Sequence, residues 1–342
     1  MIEVRAPAVI KLLGEHAVVY GRLGIAVAID MYAKTAVSEH DGNGLLLDLS
    51  DIGVRERATD DDLDRIYRDY RSKSIEEFRS SDRSVSDQIL PYLTIASRVS
   101  VEYGKSLDGI QVDIRSEIPL QRGFASSGAC STSFATALVS ALGLRLGDSD
   151  IIDIARDGDR VIHMNRNAGT LDVNTSYYGG FVSYRGSTGV RMEEVGLPIR
   201  LVLIDTGPKR STAETVGHIA SLYNTDRDST EALLNSIEEC SVDGLRCLKS
   251  GDIDGLGRDM LMDHRILSRL GVSSDALDRA VDICMSNGAL GAKLSGGGGG
   301  GVAIALTREP ERLIGQLERE GFKVTERVVA GIGAKGSIEK VI

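Results

Sequence analysis

Tryptophan is absent from this chain, and aromatic residues make up only 4% of its 342 positions. Base-stacking platforms and aromatic sugar-binding clefts depend on such rings, so both are disfavoured. No run of lysine or arginine occurs and the formal charge is -10. A general nucleic-acid or anionic-membrane binder needs a basic face, so neither partner is expected. An anionic small substrate stays admissible where basic side chains converge in one cleft. Cysteine is scarce as well: Cys130, Cys240, Cys247 and Cys284 are widely spaced apart from one C-x6-C pair that fits no common zinc pattern. They read as reduced thiols in a cytoplasmic protein. No window approaches the roughly eighteen apolar residues of a membrane span, and MIEVRAPAVIKLLGEH lacks a signal-peptide arrangement.

What is plentiful is glycine, 39 residues in clusters, which points to close backbone approaches. With 42% hydrophobic and 26% charged residues, the chain is large enough for two domains, each with its own core. An exposed stretch holding Gly186, Gly189, Gly196 and Pro198 suggests the boundary, giving domains 1–190 and 191–342.

Residues Pro119 to Leu142, PLQRGFASSGACSTSFATALVSAL, form the stretch that organises the rest. A Pro-bearing turn leads through Gly123 to a Ser/Gly/Ala cluster and then to about four helical turns of small and apolar residues. The first N–H groups of such a helix lack partners and its dipole is positive there, which suits phosphate. Ser126 and Ser127 add hydroxyls for capping, phosphate or a cation. A capped, Ala-rich core helix is the other reading.

Upstream, 2–13 reads as a strand broken by Pro7, 23–30 as a second strand, and 35–49 as further strands. Between the first two, GEHAVVYG is a tight connection in which Glu15 and His16 are candidates, though a solvated turn is the commoner fate of such a pair. Lys11 lies in an otherwise apolar strand, where a lysine needs a reason. Residues 51–86 read as a solvated helical excursion, 87–103 as a helix interrupted at Pro91, and 149–163 as an amphipathic helix. Asp172 sits in a Gly/Thr/Asn loop, where a plain turn former is also possible. The second half reads as helices over 211–224, 229–249 and the two segments that follow. Six consecutive glycines, 296–301, then stand between two apolar strands. So placed they read as a backbone loop meeting another molecule or the facing domain, where a flexible linker is the usual meaning.

Three glycine-rich segments in this order resemble the GHMP kinase superfamily, and their detail resembles its mevalonate kinase family. APAVIKLLGEHAVVYGRLGIAVAID looks like the first motif, PLQRGFASSGA the second, P-x-x-x-G-L-G-S-S-A-A, and AKLSGGGGGG the third. DTGPKRST, LDVNTSYYGG and MDHRILSRLGVSS are similar to three further segments, the last usually N-H-x-L-L-x-x-L-G-V-S. The resemblance implies an α+β fold of two domains: an N-terminal domain like ribosomal protein S5 domain 2, and a ferredoxin-like C-terminal domain. It implies ATP-dependent phosphorylation of the 5-hydroxyl of mevalonate in isoprenoid precursor synthesis, with ATP and Mg2+ as cofactors. By the match, Asp172 orients or deprotonates the hydroxyl. Gly123, Phe124, Ala125, Ser126, Ser127, Gly128 and Ala129 cradle the ATP phosphates. Ser127 and Asp159 hold the metal, and Glu15, His16, Ser295, Gly296 and Gly297 meet the substrate.

Departures from the pattern are informative. The first-motif lysine aligns with Val9, and Lys11, on the same strand face about 7 Å further along, is expected to take over its role. Ala125 replaces a glycine, Gly128 departs too, and the segment before Asp172 lacks H-G-x-P-S-G. F-A-S-S is similar to the L-A-S-S of diphosphomevalonate decarboxylases, so a related enzyme on mevalonate phosphates stays open, as does a catalytically silent relative. GEHAVVYG, KRST and the third motif favour the kinase. Oligomeric state is open, a homodimer being one option.

Overall fold

Alternation and length of the apolar runs divide the chain into two sheets with helices against them. The computed structural model describes residues 1–81, 86–119, 122–165, 168, 170–195, 199–207 and 212–340. The KRST call, apart from Thr212, and parts of the loops at 120–121, 166–169 and 196–198 lie outside the described residues.

The amino-terminal half supplies β1 (Ile2–Leu13), β2 (Gly24–Glu39), β3 (Leu45–Leu49), β4 (Val54–Ala58), α1 (Asp60–Ser72), α2 (Ile75–Ser81), α3 (Leu90–Tyr103), β5 (Ile110–Ser116), α4 (Ser126–Ala141), α5 (Asp148–His163), α6 (Thr170–Tyr178), β6 (Phe181–Arg185) and β7 (Gly189–Glu193). After it come β8 (Arg200–Asp205), α7 (Thr212–Thr225), α8 (Arg227–Ser250), α9 (Ile253–Arg269), α10 (Asp275–Ser286), β9 (Gly291–Ser295), β10 (Val302–Leu306), α11 (Pro310–Arg319), β11 (Lys323–Val328) and β12 (Glu339–Lys340).

The first sheet runs β12-β1-β2-β5-β3-β4, with β6 on the early part of β2 and β7 beyond it. Where two strands are expected over 23–40, one 16-residue strand runs through. Its opening residues, Gly24 to Ile29, are covered on both faces, and from Asp30 on only alternate residues are buried. The change in pattern therefore marks a change in cover, with no break in the strand. Pro7 does not end β1 either. The register slips between Pro7 and Ala8, from Tyr32 to Ile29 of β2, and this bulge absorbs the missing N–H. Pro91 lies in the first turn of α3, where its N–H would have no partner, so it starts the helix and does not interrupt it.

The second sheet is antiparallel in the order β11-β8-β10-β9. That is a ferredoxin-like arrangement with long helical insertions. The cut expected at 190/191 falls inside β7, and the chain recrosses it after β11. Val329 bridges Ile29, Ala330 donates to Ala28 and accepts from Gly180, and β12 pairs with β1. The last residues thus belong to the first sheet.

Helix α4 is central: every residue from Gly128 to Val139 is buried, as expected of a helix apolar all round. It lies against β1, β2, α5 and α6. Two of its hydroxyls turn back onto the helix, Thr132 donating to Gly128 O and Ser133 to Cys130 O, while those of Ser131 and Thr136 are buried without a partner among the described residues. Helix α8 of the second half grips the β1–β2 turn. Arg22 binds Glu231 and Asn235, and the Leu23 N–H donates to Glu238.

Candidate active site

Strand alternation places Val9 and Lys11 on one face of β1. Val9 is fully buried with Ala26, Leu171 and Val182, so it packs against the start of α6. Two residues further, Lys11 extends past this plug and its Nζ pairs with Asp172 Oδ1. The two side chains are 20% and 21% exposed, so the pair is open to solvent on one side. The Lys11 backbone is pinned from β9: its N–H donates to Ser295 Oγ at 3.1 Å, and the Ser295 hydroxyl donates back to Lys11 O at 3.0 Å.

Beside this pair is the start of α4. Gly123 has φ 97° and Ala125 φ 51°, and between them buried Phe124 accepts a hydrogen bond from the Val9 N–H at 3.0 Å. Among the described residues no side chain caps α4. Its leading N–H groups therefore have no side-chain acceptor there, and they form the positive end of the helix dipole. A Cβ on Gly128 would stand 3.1 Å from Asp172 Cβ, so the absence of a side chain lets the carboxylate-bearing helix seat against the loop. A Cβ on Gly123 would stand 3.5 Å from Ser295 O, and one on Gly296 3.8 Å from Gly123 O. The second and third glycine segments thus meet.

The end of α5 completes the wall. Asp159 and His163 lie one turn apart on one helix face. His163 Nε2 is 3.1 Å from Ser127 Oγ and 3.5 Å from Asp159 Oδ1, the latter too long for a hydrogen bond. Asp159 is 1% exposed, and Oδ1 finds no hydrogen-bond partner among the described residues. Burial pushes its carboxyl up, but His163, the Ser127 hydroxyl and the charge of Lys11 outweigh this and hold it below the usual carboxylate range. Proximity to Asp159 in turn raises the His163 imidazole. Among the described residues no three His, Cys, Asp or Glu side chains form a metal cage. A buried anionic oxygen without a donor, beside a serine hydroxyl, still suits a hard cation completed by substrate phosphates.

The turn after β1 behaves differently. Gly14 (φ 90°) and His16 (φ 61°) reverse the chain, and a Cβ at Gly14 would meet Leu23 O at 2.4 Å. Glu15, expected against substrate, is 3% exposed and pairs with Lys293. The structure places it behind the site. Ser295, also expected there, is 2% exposed and spends its hydroxyl on Lys11. His16 Nε2 is 3.1 Å from Gly297 O, which fixes the proton on that nitrogen, while Nδ1 is buried without a partner among the described residues. Burial lowers the His16 pKa, so the ring is neutral with Nδ1 as a free acceptor.

Comparison with known proteins places these features in a family. Residues 92–180 match the GHMP kinases N terminal domain, and residues 245–323 match the GHMP kinases C terminal domain. A mevalonate kinase of Thermococcus onnurineus is 32% identical over 342 residues, covering 94% of this chain and 97% of that one. The chain belongs to the mevalonate kinase family of GHMP kinases. A mevalonate kinase of Pyrococcus abyssi is 29% identical over 341 residues, with 94% and 97% covered. The crystal structure of the Methanococcus jannaschii mevalonate kinase superposes with a TM-score of 0.78 at 23% identity, covering 96% of this chain and 98% of that one. The fold is therefore the two-domain α+β GHMP kinase fold, and membership of a kinase family makes ATP the phosphoryl donor. Among the described residues no helix is long and apolar enough to cross a membrane.

The structure brings Lys11, Asp172, Ser127, Asp159 and the 123–129 loop together as one candidate site, with Gly296, Gly297 and His16 opposite. Sequence reasoning did not single out His163, Lys293 or Asp263. For His163 a signal existed, because a histidine four residues after Asp159 on a helix shares its face.

Proposed function

We propose that this chain transfers the γ-phosphoryl group of ATP to the 5-hydroxyl of mevalonate, giving 5-phosphomevalonate. The observation that carries the reading is the Lys11–Asp172 pair, partly open and seated against the uncapped start of α4. Phosphoryl transfer needs positioning and charge neutralisation more than covalent help. Backbone N–H groups of 123–129 hold the phosphates. Asp172 orients the hydroxyl and takes its proton as the new O–P bond forms and the bond between the γ-phosphorus and the bridging oxygen breaks, releasing ADP. Lys11 keeps Asp172 aimed and lowers the field at the attacking oxygen. Ser127 and Asp159 would hold Mg2+, which would neutralise part of the phosphate charge. His16, bonded to Gly297 O, holds the third glycine segment against the β1 turn at the edge of the site.

The test is ATP turnover with mevalonate, phosphomevalonate and diphosphomevalonate in parallel, the product being identified by phosphorus NMR. A phosphomonoester on the 5-oxygen of mevalonate is expected. Turnover of a phosphorylated substrate with none of mevalonate, or no turnover at all, overturns the assignment.

A further inference from the structure

Behind the open pair lies a second cluster whose hydrogen bonds do not add up. Glu15 Oε2 and both Asp263 carboxyl oxygens are buried without a partner among the described residues. The side chains of Lys293, Glu15 and Asp263 are 0–1% exposed, so no water stands in. Lys293 Nζ donates to Glu15 Oε1 and to Leu294 O, and comes only within 3.3 Å of Asp263 Oδ2. Charge does not add up either. Two ionised carboxyls against one ammonium leave a net negative charge in a dry interior, which burial penalises heavily.

Among the described residues nothing around the cluster offsets that charge. From the turn after β1 comes His16, which burial keeps neutral. On α9 itself His264 accepts from the Leu294 N–H through Nδ1 and faces Asp278 through Nε2 at 3.2 Å, the pattern of a neutral ring. Cys240 of α8 faces it as a thiol that burial and Asp263 push up to about 12. Asp259, a turn earlier on α9, adds only negative charge.

We infer that Glu15 and Asp263 share one proton, carried by Asp263, so that Asp263 donates to the Glu15 carboxylate while Glu15 pairs with Lys293. One O–H gives Glu15 Oε2 its donor and leaves the cluster neutral, with Asp263 Oδ2 facing Lys293 Nζ at 3.3 Å. Asp263 lies within hydrogen-bond reach of Glu15, and its carboxyl is raised far above the usual range, by burial first and by Glu15 after that. Glu15 comes from the first sheet's turn, and Lys293 and Asp263 from the second half of the chain. Asp263 is therefore a positioning residue. Acting through Glu15, it holds the His16 turn and, two residues beyond Lys293, the Ser295 bridge to Lys11. The inference stands on this cluster and not on the assigned reaction.

The sign of the pH effect follows. A carboxyl raised in the folded state stabilises it fully below the ordinary carboxylate range, and that stability is lost as pH rises through the folded value. Thermal unfolding is compared between the unaltered protein and Asp263→Asn, a neutral mimic. Above about pH 5 the unaltered protein's Tm falls relative to the variant's by roughly 2 °C per pH unit. Parallel curves overturn the inference. Infrared spectra give a second reading that does not depend on the variant's yield: the unaltered protein shows a neutral carboxylic-acid C=O stretch at neutral pH, and Asp263→Asn lacks it. Absence of that band from the unaltered protein, or its survival in the variant, also overturns the inference.

Discussion

Lys11 and Lys293 both lie on β-strands and both meet a carboxylate, yet one pair is 20% exposed and the other is sealed. The difference separates chemistry from construction. Water around Lys11 and Asp172 weakens their attraction, so the pair opens at little expense when a hydroxyl arrives. In the dry cluster the same charges cannot part without leaving one unpaired, so it serves to fix the two halves of the chain. Ser295 joins the two, two residues from Lys293 and bonded to the Lys11 backbone.

The largest expected effect breaks the wet pair. Asp172→Asn keeps the shape and removes the base, and kcat falls by about 10³-fold or more. Its unfolding free energy stays within about 1 kcal/mol of the unaltered protein, because a hydrated pair contributes little. Steady-state kinetics and urea titration measure the two quantities. Near-normal turnover would show that the pair is not the reacting one.

Lys293→Met reverses the pattern. Stripped of the one cation the described residues give the cluster, the buried carboxyls destabilise the fold by about 3–5 kcal/mol, read from denaturant midpoints. Lys11→Met is the control within the same experiment and shifts the midpoint by far less. Equal losses from the two lysines would erase the distinction between wet and dry clusters.

Much of the wet side was legible before any coordinates. A lysine in an apolar strand is conspicuous, and glycine clusters mark backbone approaches. Asp172 was readable only through the resemblance: its segment reads as a polar loop, whereas the structure makes it the first turn of the nine-residue α6, too short to show a clear period. The dry cluster was silent because its partners are 278 residues apart in sequence, Glu15 to Lys293, and only the meeting of the two sheets pairs them. The same holds for β12 and for the unbroken β2, whose partners are set by tertiary cover. Local propensity placed Pro7 and Pro91 at breaks, and context turned them into a bulge and a helix start.

The smallest expected effect concerns strain, which is confined to segments framing the cleft. Among the described residues three that are not glycine have positive φ: His16 at 61°, Ala125 at 51° and Met164 at 49°. They sit at the β1 turn, before α4, and just after His163; none is on β9 or α9, which build the dry cluster. A left-handed alanine is strained by roughly 1 kcal/mol, and glycine is not. Ala125→Gly therefore raises the unfolding free energy by up to about 1 kcal/mol, less what the freer unfolded chain takes back. The same freedom loosens the phosphate loop, so KM for ATP rises about twofold while kcat holds. Urea midpoints and ATP saturation curves read the two together. If stability falls instead, the loop's entropy outweighs its strain, and the wet wall is held by packing against Asp172 at Gly128 rather than by a strained turn.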